Sequence, residues 1–498
     1  MPEPQPMATL HTGIPEFDVI LRGGLPRHRL HLIEGAPGTG KTTIALRFLI
    51  KGAADNERCL YITLSESAEE LAASTAAHGW SLDGIDIFEL VPAEAELEQQ
   101  QTVLYPGEVE FGETMRRITD RIEAISPTRV VIDSLAELRL LAQDSLLYRR
   151  QLLTLKRFLQ GRRITTLILD DLTTSSTDGD LHSLVHGVIS LEQLERNYGA
   201  ARRRLRIAKM RGSNYQSGWH DFALVTGEVL VFPSLIAEEH KTRVEQTAIT
   251  SGVPGLDEIL GGGLDRGTTT MLVGPSGAGK SSIALRYAMS AVESGDYAAY
   301  FSFDETFHTL SRRAEALRLP VTQAVAAGRL GWSRATPSRL SPGEFVWQVR
   351  HAVETRKARL VVIDSLNSYF GTMPEEHALV LHMHELITYL NHQGVVTILI
   401  MAQQGVVGAV QNPVDLSFLS DTVLLLRFFE AAGQLRKALS VIKKRTGVHE
   451  LAIREYQLFP DGMRIGPPLQ DLQGVLTGVP TYTGPQDTLI GNAGDAAD

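Results

Sequence analysis

The sequence predicts an α/β protein made of two tandem copies of one domain, each a mostly parallel β-sheet covered by helices on both faces. Three observations lead to this prediction. Apolar strand-like runs alternate with helix-forming segments, a pattern typical of parallel sheets buried on both sides. Residues 12–49 and 251–288 align without gaps at an offset of 239 and are identical at 17 of 38 positions. A glycine-rich loop of one type occurs at the same place in each copy.

Both glycine-rich loops match the Walker A pattern, which binds the phosphates of a nucleotide. Each follows an apolar run predicted to be a buried strand (30–33 and 270–273) and precedes a helix-forming segment (43–50 and 282–289). The glycines let backbone N–H groups and a helix N-terminus face one phosphate cluster. The chain is therefore expected to bind two ATP molecules, through Gly35, Gly38, Thr39, Gly40, Lys41, Thr42 and Thr43 in the first copy and Gly274, Gly277, Ala278, Gly279, Lys280, Ser281 and Ser282 in the second.

A second apolar strand in each copy ends in aspartate, as a Walker B strand does. These strands are predicted at 129–135 and 360–366. A buried strand-end carboxylate and a P-loop hydroxyl are oxygen ligands suited to Mg²⁺. We therefore expect Mg²⁺ as a cofactor beside ATP, with Thr42 and Asp133 as its ligands in the first copy and Ser281 and Asp364 in the second.

Carboxylates also end the strand that follows each P-loop helix, predicted at 60–66 and 299–305. Phosphoryl transfer needs one group that orients or deprotonates the attacking oxygen. Glu66 and Glu305 are related by the same offset of 239, and Asp304 precedes Glu305 where the first copy has Ser65. Glu66, Asp304 and Glu305 are the candidate catalytic acids, and the two sites are expected to differ in rate or reaction.

Cations follow a strand late in each copy: Lys209 and Arg211 in the first, Lys443 and Arg445 in the second. Cations this far from the P-loop in sequence suit completion of a neighbouring subunit's site. The arginine-rich run 202–206 admits two interpretations, a nucleic-acid patch or a strand with one charged face. Alternation of arginine with Leu205 and Ile207 favours the strand.

At 498 residues the chain is expected to contain more than one domain. The predicted limits are 1–235 for the first domain, 236–250 for a linker, 251–470 for the second domain and 471–498 for a partly disordered tail. Segment 92–110 is predicted to be an exposed insertion in the first copy.

Composition limits the classes of partner. The net charge of −10 disfavours a general affinity for nucleic acid or membrane surfaces, and the single cysteine, Cys59, excludes an internal disulfide. Cys59 is expected in a buried strand. The chain shows neither a signal-peptide pattern nor a membrane-spanning run, so a cytoplasmic location is expected. Histidines 377, 382, 384 and 392 lack the i, i+4 spacing of a helical zinc site.

The tandem P-loop domains, the acids after the second strand and the late Lys-x-Arg element resemble the KaiC family of RecA-like ATPases, known from the cyanobacterial circadian clock. Further matches are the segments 421–426, 443–445, 452–455 and 476–481. The resemblance implies a homo-hexameric double ring with ATP at subunit interfaces, slow hydrolysis, and serine/threonine autophosphorylation in the second tier. It implies that Glu66 activates water in the first tier, that Asp304 and Glu305 act in the second, and that Lys209, Arg211, Lys443 and Arg445 reach the neighbour's nucleotide.

Two departures from the family pattern stand out. The adjacent serine and threonine phosphoacceptors of the family are replaced by Ser417-Phe418, which leaves Ser417 as the candidate acceptor, and Ser65 replaces a second glutamate. The resemblance leaves signalling partners unnamed.

Two other classes of function remain open at this stage. One is a DNA-dependent RecA-like recombinase or helicase motor, which the arginine run favours and the acidic net charge disfavours. The other is a scaffold whose assembly is controlled by nucleotide binding, with hydrolysis incidental.

Overall fold

The computed structural model describes residues 8–90, 106–142, 145–171, 178–195, 199–336, 338–371, 376–403, 417–431, 433–460, 462–477 and 481–483. The chain divides into two compact units, residues 1–234 and 235–498, which we call the first and second domains.

The first domain contains alternating strands and helices followed by three antiparallel strands. Its strands are β1 (Thr9–Leu10), β2 (Leu25–Pro26), β3 (Leu30–Gly35), β4 (Cys59–Thr63), β5 (Ile85–Glu89), β6 (Arg129–Asp133), β7 (Thr165–Asp171), β8 (Gly187–Leu194), β9 (Arg202–Met210), β10 (His220–Val225) and β11 (Glu228–Phe232). Its described helices are α1 (Pro15–Ile20), α2 (Lys41–Ala54), α3 (Ala68–Ala77), α4 (Pro106–Ile125), α5 (Leu135–Ala142), α6 (Ser145–Gly161) and α7 (Asp178–Leu184).

Nine of these strands form one sheet in the order β11-β10-β9-β8-β3-β7-β6-β4-β5. The strands from β8 to β5 in this order are mutually parallel, and β9, β10 and β11 are added antiparallel. The P-loop strand β3 is therefore central. Its carboxyl end lies at the same edge of the sheet as those of β4, β6 and β7, where ligands bind in open α/β sheets.

A hydrophobic core lies on each face of this sheet. One core joins Ile33 and Val131 to Ile44 and Phe48 of α2, and the other joins Leu32 and Val130 to helices α4, α5 and α6. Successive strand residues thus enter opposite cores, because side chains alternate along a strand. The only cysteine, Cys59, is buried in β4, and burial raises the pKa of its thiol to about 11.

The second domain repeats this architecture. Its strands are β12 (Ala248–Ile249), β13 (Leu264–Asp265), β14 (Thr269–Gly274), β15 (Tyr297–Ser302), β16 (Leu330–Arg334), β17 (Ala358–Asp364), β18 (Val396–Ala402), β19 (Thr422–Ala431), β20 (Gln434–Lys444), β21 (Arg454–Phe459), β22 (Gly462–Pro468), β23 (Leu472–Gln473) and β24 (Thr481–Tyr482). Its described helices are α8 (Pro254–Ile259), α9 (Lys280–Glu293), α10 (Phe307–Ala316), α11 (Val321–Ala326), α12 (Pro342–Glu354), α13 (Leu366–Phe370) and α14 (Glu376–His392), with short 3-10 helices at Ala237–His240, Ser417–Leu419 and Val475–Thr477.

The second sheet has the order β22-β21-β20-β19-β14-β18-β17-β15-β16, which matches the first order strand for strand. It too separates two hydrophobic cores. The predicted fold class, two tandem RecA-like domains with helices on both faces of a mostly parallel sheet, is confirmed.

Several local expectations need correction. The strands β4 and β15 end at Thr63 and Ser302, so Glu66 and Glu305 lie in the loops beyond them. Residues 106–110, predicted to belong to an exposed insertion, are the first residues of α4, and 92–105 lie outside the described residues. Part of the predicted tail forms β23 and β24, and Val475 there is buried against Phe429. In the described ranges, no helix is both long and apolar enough to cross a membrane.

Candidate active sites

The first site is built around the loop between β3 and α2. Gly38 and Gly40 have φ values of +80° and +101°, which L side chains rarely adopt. A Cβ on Gly40 would also lie 3.0 Å from Leu224. The glycines therefore permit the tight turn that brings the N-terminus of α2 against the carboxyl end of β3. Thr39, Thr42 and Thr43 lie in this loop and in the first turn of α2.

Lys41 is buried beneath the loop. Its Nζ donates hydrogen bonds to the carbonyl oxygens of Gly35 (2.8 Å) and Ala36 (3.1 Å) and forms a 2.5 Å ion pair with Asp171. Asp171 ends β7 and lies opposite Gly35 in the register of the sheet. The sequence did not single out Asp171, because this residue lies in no recognisable motif. At the equivalent register position, opposite Gly274, the second domain has Ala402.

Thr42 and Asp133, 91 residues apart in sequence, meet beside the loop. The hydroxyl of Thr42 donates to Asp133 Oδ2 at 2.9 Å, and the hydroxyl of Tyr61 donates to the same oxygen at 2.6 Å. Burial raises the pKa of Asp133 although both hydrogen bonds favour its ionised form. Burial and the Asp133 charge raise the pKa of Tyr61 well above its ordinary range. Two of the predicted Mg²⁺ ligands are therefore adjacent.

Glu66 lies just beyond β4, in a turn that Thr63 closes. The Thr63 hydroxyl accepts from the Glu66 N–H at 3.1 Å and donates to the Glu66 carbonyl at 2.7 Å. Burial, followed by the charges of Asp133 and Glu70, raises the pKa of the Glu66 carboxyl. Glu66 is thus a carboxylate in an acidic setting, close to the predicted metal ligand.

The second P-loop has the same construction. Lys280 begins α9 after Gly279, whose φ is +96°, and its Nζ donates to the carbonyl oxygens of Gly274 and Pro275, both at 2.8 Å. Burial lowers the pKa of Lys280 to about 8, against an opposing effect of the Asp364 charge. The other predicted binding residues lie in the same loop or the first turn of α9: Gly277, Ala278, Ser281 and Ser282.

Asp364 occupies the position of Asp133 at the end of β17. Tyr300 donates its hydroxyl to Asp364 Oδ2 at 2.6 Å, as Tyr61 does to Asp133. Ser281 follows Lys280 in α9, where Thr42 follows Lys41. In both domains a cis peptide bond follows the aspartate, at Asp133–Ser134 and Asp364–Ser365.

The two candidate acids of the second domain have separate partners. Asp304 accepts hydrogen bonds from the hydroxyls of Ser365 (2.8 Å) and Ser368. Glu305 pairs with Arg313: Nη1 donates a 2.8 Å hydrogen bond to Oε1, and Nη2 lies 2.8 Å from Oε2 as an ion contact. Burial raises the pKa of Glu305, and Arg313 opposes this effect.

At two equivalent positions the domains differ in opposite ways: where one domain has an acidic residue, the other has a serine. Counting from the P-loop and from the strand-end aspartate, Asp304 corresponds to Ser65, and Ser368 corresponds to Glu137. Glu137 lies in α5, half-buried, directly after the Asp133 strand. The sequence prediction for the first domain missed this carboxylate because it considered only the acids that follow β4.

The late cations lie away from their own domain's P-loop. Lys209 is in β9 and Lys443 in β20, so both are strand residues, and Arg211 and Arg445 follow the two strands. In the register of the sheet, Lys209 of β9 lies opposite Val188 of β8, and Val188 lies opposite Leu32 of β3. Because a strand rises ~3.3 Å per residue, Leu32 lies about 10 Å before the end of β3, where the P-loop begins. In the second domain, Lys443 lies opposite Val423 and Val423 lies opposite Met271, which is the equivalent position in β14.

Both lysines contact the turn before the strand beside them. Lys209 Nζ donates to the carbonyl oxygens of Val185 (2.9 Å) and His182, and burial lowers the pKa of its ammonium group. Lys443 Nζ donates to the carbonyl oxygens of Ser417 (3.0 Å) and Ser420 (2.8 Å). Arg211 and Arg445 are exposed, and the latter lies 3.5 Å from Asp421. None of these contacts involves a P-loop.

The candidate phosphoacceptor Ser417 begins the 3-10 helix Ser417–Leu419 and is half-buried. The hydroxyls of nearby Ser420 and Thr422 belong to residues only 1% and 2% exposed. Ser417 is therefore the most accessible of these three hydroxyl residues.

The arginine run 202–206 lies in β9 with Leu205 and Ile207 buried, as the alternation predicts. Arg202 pairs with Asp221 at 2.6 Å and Arg204 with Glu192 at 2.7 Å. Arg204 and Arg206 both lie over the ring of Trp219.

Two of the four histidines named from the sequence have side-chain contacts. His382 Nδ1 lies 2.7 Å from the Tyr369 hydroxyl, and His392 Nδ1 lies 3.2 Å from the Ala237 carbonyl oxygen. In the part of the chain that is described, no group of three or more His, Cys, Asp or Glu side chains is arranged to hold a metal ion.

A family model described as "ATPase: KaiC" matches residues 10–235 and again residues 249–470. The chain belongs to the KaiC family. It is therefore an ATP-binding P-loop ATPase with the KaiC domain repeated in tandem, and the suspected resemblance is confirmed.

Relatives align with this chain over nearly its whole length. It is 26% identical to the circadian clock protein KaiC3 of a Synechocystis species over 95% of either chain. It is 27% identical to the circadian clock oscillator protein KaiC of Thermosynechococcus vestitus, over 94% of this chain and 91% of the relative. Identity to the circadian clock protein KaiC2 of the Synechocystis species is 27%, over 91% and 80% of the two chains.

Proposed function

We propose that this KaiC-family chain is a Mg²⁺-dependent ATPase that assembles into a homo-hexameric ring, with a nucleotide at each subunit interface of both tiers, and acts in cytoplasmic signalling. The contact between Thr42 and Asp133 carries the hydrolytic part of the proposal. It joins the end of one motif to the end of the other across 91 residues of sequence.

The oxygens at this contact fit Mg²⁺. A threonine hydroxyl and a strand-end carboxylate are hard ligands, and Mg²⁺ retains waters for its other positions. Thr42 and Asp133 would hold the ion in the first domain, and Ser281 and Asp364 in the second. When bound, Mg²⁺ would neutralise charge on the β- and γ-phosphates.

The side chains have distinct tasks in the proposed reaction. Lys41 and Lys280 would exchange backbone carbonyl partners for phosphate oxygens, and the lysine in the first domain would also leave Asp171. Glu66 would orient water and accept its proton for in-line attack on the γ-phosphate, and Asp304 with Glu305 would act in the second domain. A cavity of about 340 Å³ beside Ser282 and Leu317 offers room for part of the nucleoside.

The ring is supported by the position of the late cations. Lys209, Arg211, Lys443 and Arg445 lie toward the end of the sheet away from their own P-loop. They would stabilise transition-state charge only on a nucleotide held by a neighbouring copy.

Two single variants test the nucleotide sites. Lys41→Ala and Lys280→Ala should each remove one of two bound ATP molecules per chain, because each removes the cation that neutralises the phosphates. Occupancy is measured by equilibrium dialysis with labelled ATP, and turnover by phosphate release. Two bound ATP molecules in both variants would contradict the assignment.

We further propose that the second domain transfers phosphate to Ser417. The support is the accessibility of Ser417 beside Lys443, one of the cations expected to reach a neighbour's nucleotide. Incubation with Mg·ATP followed by intact-mass measurement and site mapping tests this: a phosphate on Ser417 is expected. An unmodified chain that still hydrolyses ATP would leave a simple ATPase.

The alternative of a DNA-dependent motor is less well supported. Two arginines of the run are paired with carboxylates, Arg202 with Asp221 and Arg204 with Glu192, and Arg204 also lies over the ring of Trp219. DNA-stimulated turnover with a steep salt dependence would favour the motor. Assembly that responds to ATP without measurable turnover would favour the scaffold.

A further inference from the structure

The Glu305 carboxylate is held on both oxygens by one guanidinium. Arg313 lies two turns into α10 and approaches both oxygens at 2.8 Å. The side chains of Glu305 and Arg313 are 16% and 29% exposed, so solvent screens the pair only in part. The pair combines one charge-assisted hydrogen bond with a second close ion contact, and charge-assisted hydrogen bonds are among the stronger ones in proteins.

The first domain provides an internal comparison. Helices α3 and α10 have the same length, and each follows a side-chain cap, Ser67 and Thr306 respectively. The residue before each cap is the candidate acid. The position of Arg313 is occupied in α3 by Ser74, which is exposed.

Glu66 consequently has different surroundings from Glu305. Within the described residues, no side chain forms a hydrogen bond to the Glu66 carboxylate, and its charged neighbours are Asp133 and Glu70. Two sites with the same P-loop geometry thus present one carboxylate that is engaged by a cation and one that is not.

We propose that Arg313 is a positioning residue that slows hydrolysis in the second domain by engaging the Glu305 carboxylate, and that Ser74 leaves the first domain without this restraint. The inference rests on the proposed role of Glu305. When Glu305 accepts a proton from water it loses its charge, and its contacts with Arg313 weaken. An oxygen that already accepts from a guanidinium is also a weaker base.

The restraint has a chemical consequence for the second site. ATP that is lost slowly to water remains available for transfer to a hydroxyl group. Arg313 would therefore favour phosphotransfer over hydrolysis in the second domain, while the first domain hydrolyses its ATP.

The test compares full-length chains in which one site is inactivated. In a Lys41→Ala background, Arg313→Ser should raise the second-domain kcat by about three- to tenfold and leave KM unchanged, within the range that a half-buried charge-assisted pair supplies. Arg313→Lys should give an intermediate kcat, because lysine keeps the charge but not the fork of donors. In a Lys280→Ala background, Ser74→Arg should lower the first-domain kcat, and the exposed position of Ser74 accommodates the longer side chain without disturbing the fold.

Two further variants separate the possible failures. If Glu305→Gln leaves second-domain turnover intact, the proposed role of Glu305 is wrong. If Glu305→Gln abolishes turnover but Arg313→Ser leaves kcat unchanged or lower, this inference alone is overturned. Should Arg313→Ser fail to fold, as judged by thermal unfolding, Arg313→Lys and Ser74→Arg decide the matter in the same way.

Discussion

At the scale of single residues, the two candidate bases are both glutamates at equivalent positions, but the charged side chains around them differ. Glu66 lies near Glu70 and Asp133, whereas Glu305 is paired with Arg313. A carboxylate near other negative charges gains a proton more readily, and one near a cation loses it more readily. Burial raises the pKa of both acids, but Glu70 on α3 adds to this effect at Glu66, whereas Arg313 on α10 opposes it at Glu305.

This difference predicts a pH effect in the first domain. Glu66 must be ionised to accept a proton, so turnover should rise with pH through its raised pKa. Glu70→Gln removes one neighbouring negative charge while glutamine can still serve the capping box. The pKa of Glu66 should fall, the acid limb of the pH–rate profile should move to lower pH, and turnover on that limb should rise roughly twofold.

The measurement uses a Lys280→Ala background so that only the first domain turns over. Glu69→Gln, a change of the same charge at the adjacent helix position, is the matched control and should leave the limb in place. An equal displacement in both variants would show that the effect is one of net charge and not of Glu70.

The sequence could not predict which charged residues pair with the lysine and glutamate of the two sites. Lys41, Asp133 and Glu305 follow from motifs at fixed spacing, but Asp171 and Arg313 become visible only when sheet register and helix phase are known. Neither lies in a motif. Each is defined by what it contacts.

At the scale of elements, β9 and β20 have equivalent roles. Each presents a lysine whose Nζ binds carbonyl oxygens of the turn that precedes the neighbouring strand. The carbonyls of Val185 and Ser420 follow the last residue of a short helix, where carbonyl oxygens need donors from outside the helix. The lysines therefore stabilise local structure as well as being candidates to act on a neighbour's nucleotide.

Lys443→Ala should loosen the segment around Ser417. Loss of a charged donor to the carbonyls of Ser417 and Ser420 is expected to cost about 1–3 kcal/mol of local stability. Backbone amides of residues 418–422 should then exchange faster with deuterium. Lys437→Ala, in the same strand but packed over Phe428, is the control and should leave these amides protected. Equal exchange in the two variants would contradict the proposed contact.

Element boundaries were predicted less well than element order. Strands β4 and β15 stop early because Thr63 and Ser302 turn the chain through their hydroxyls. The helix α4 begins inside a polar stretch, where the sequence lacks the helical spacing of apolar residues that would predict its first turn. Local hydrogen bonds decide such ends, and they leave little trace in hydrophobic pattern.

At the scale of the whole molecule, two sheets of identical strand order result from one duplicated sequence. The duplication itself was predictable because 17 of 38 positions around the P-loops have stayed identical. The different roles of the two copies were less predictable. They depend on differences at equivalent positions, such as Ser74 in the first copy and Arg313 in the second, that leave the fold unchanged.

The remoteness of the late cations from their own P-loop has a statistical consequence for mixed assemblies. In a closed ring with head-to-tail contacts, every complete second-tier site would take its P-loop from one chain and its cation from the next. A chain with Lys280→Ala still supplies a cation, and a chain with Arg445→Ala still supplies a P-loop. Mixed in equal amounts, the two inactive proteins should restore about one quarter of the intact interfaces.

The fraction of restored interfaces is measured as second-domain turnover. Both chains also carry Lys41→Ala, and subunits are allowed to exchange before the assay. Activity equal to the average of the separate variants would mean that each chain completes its own site. Recovery toward a quarter would mean that catalytic competence belongs to the junction between two chains, and that each single defect impairs only one of the two junctions that a chain forms.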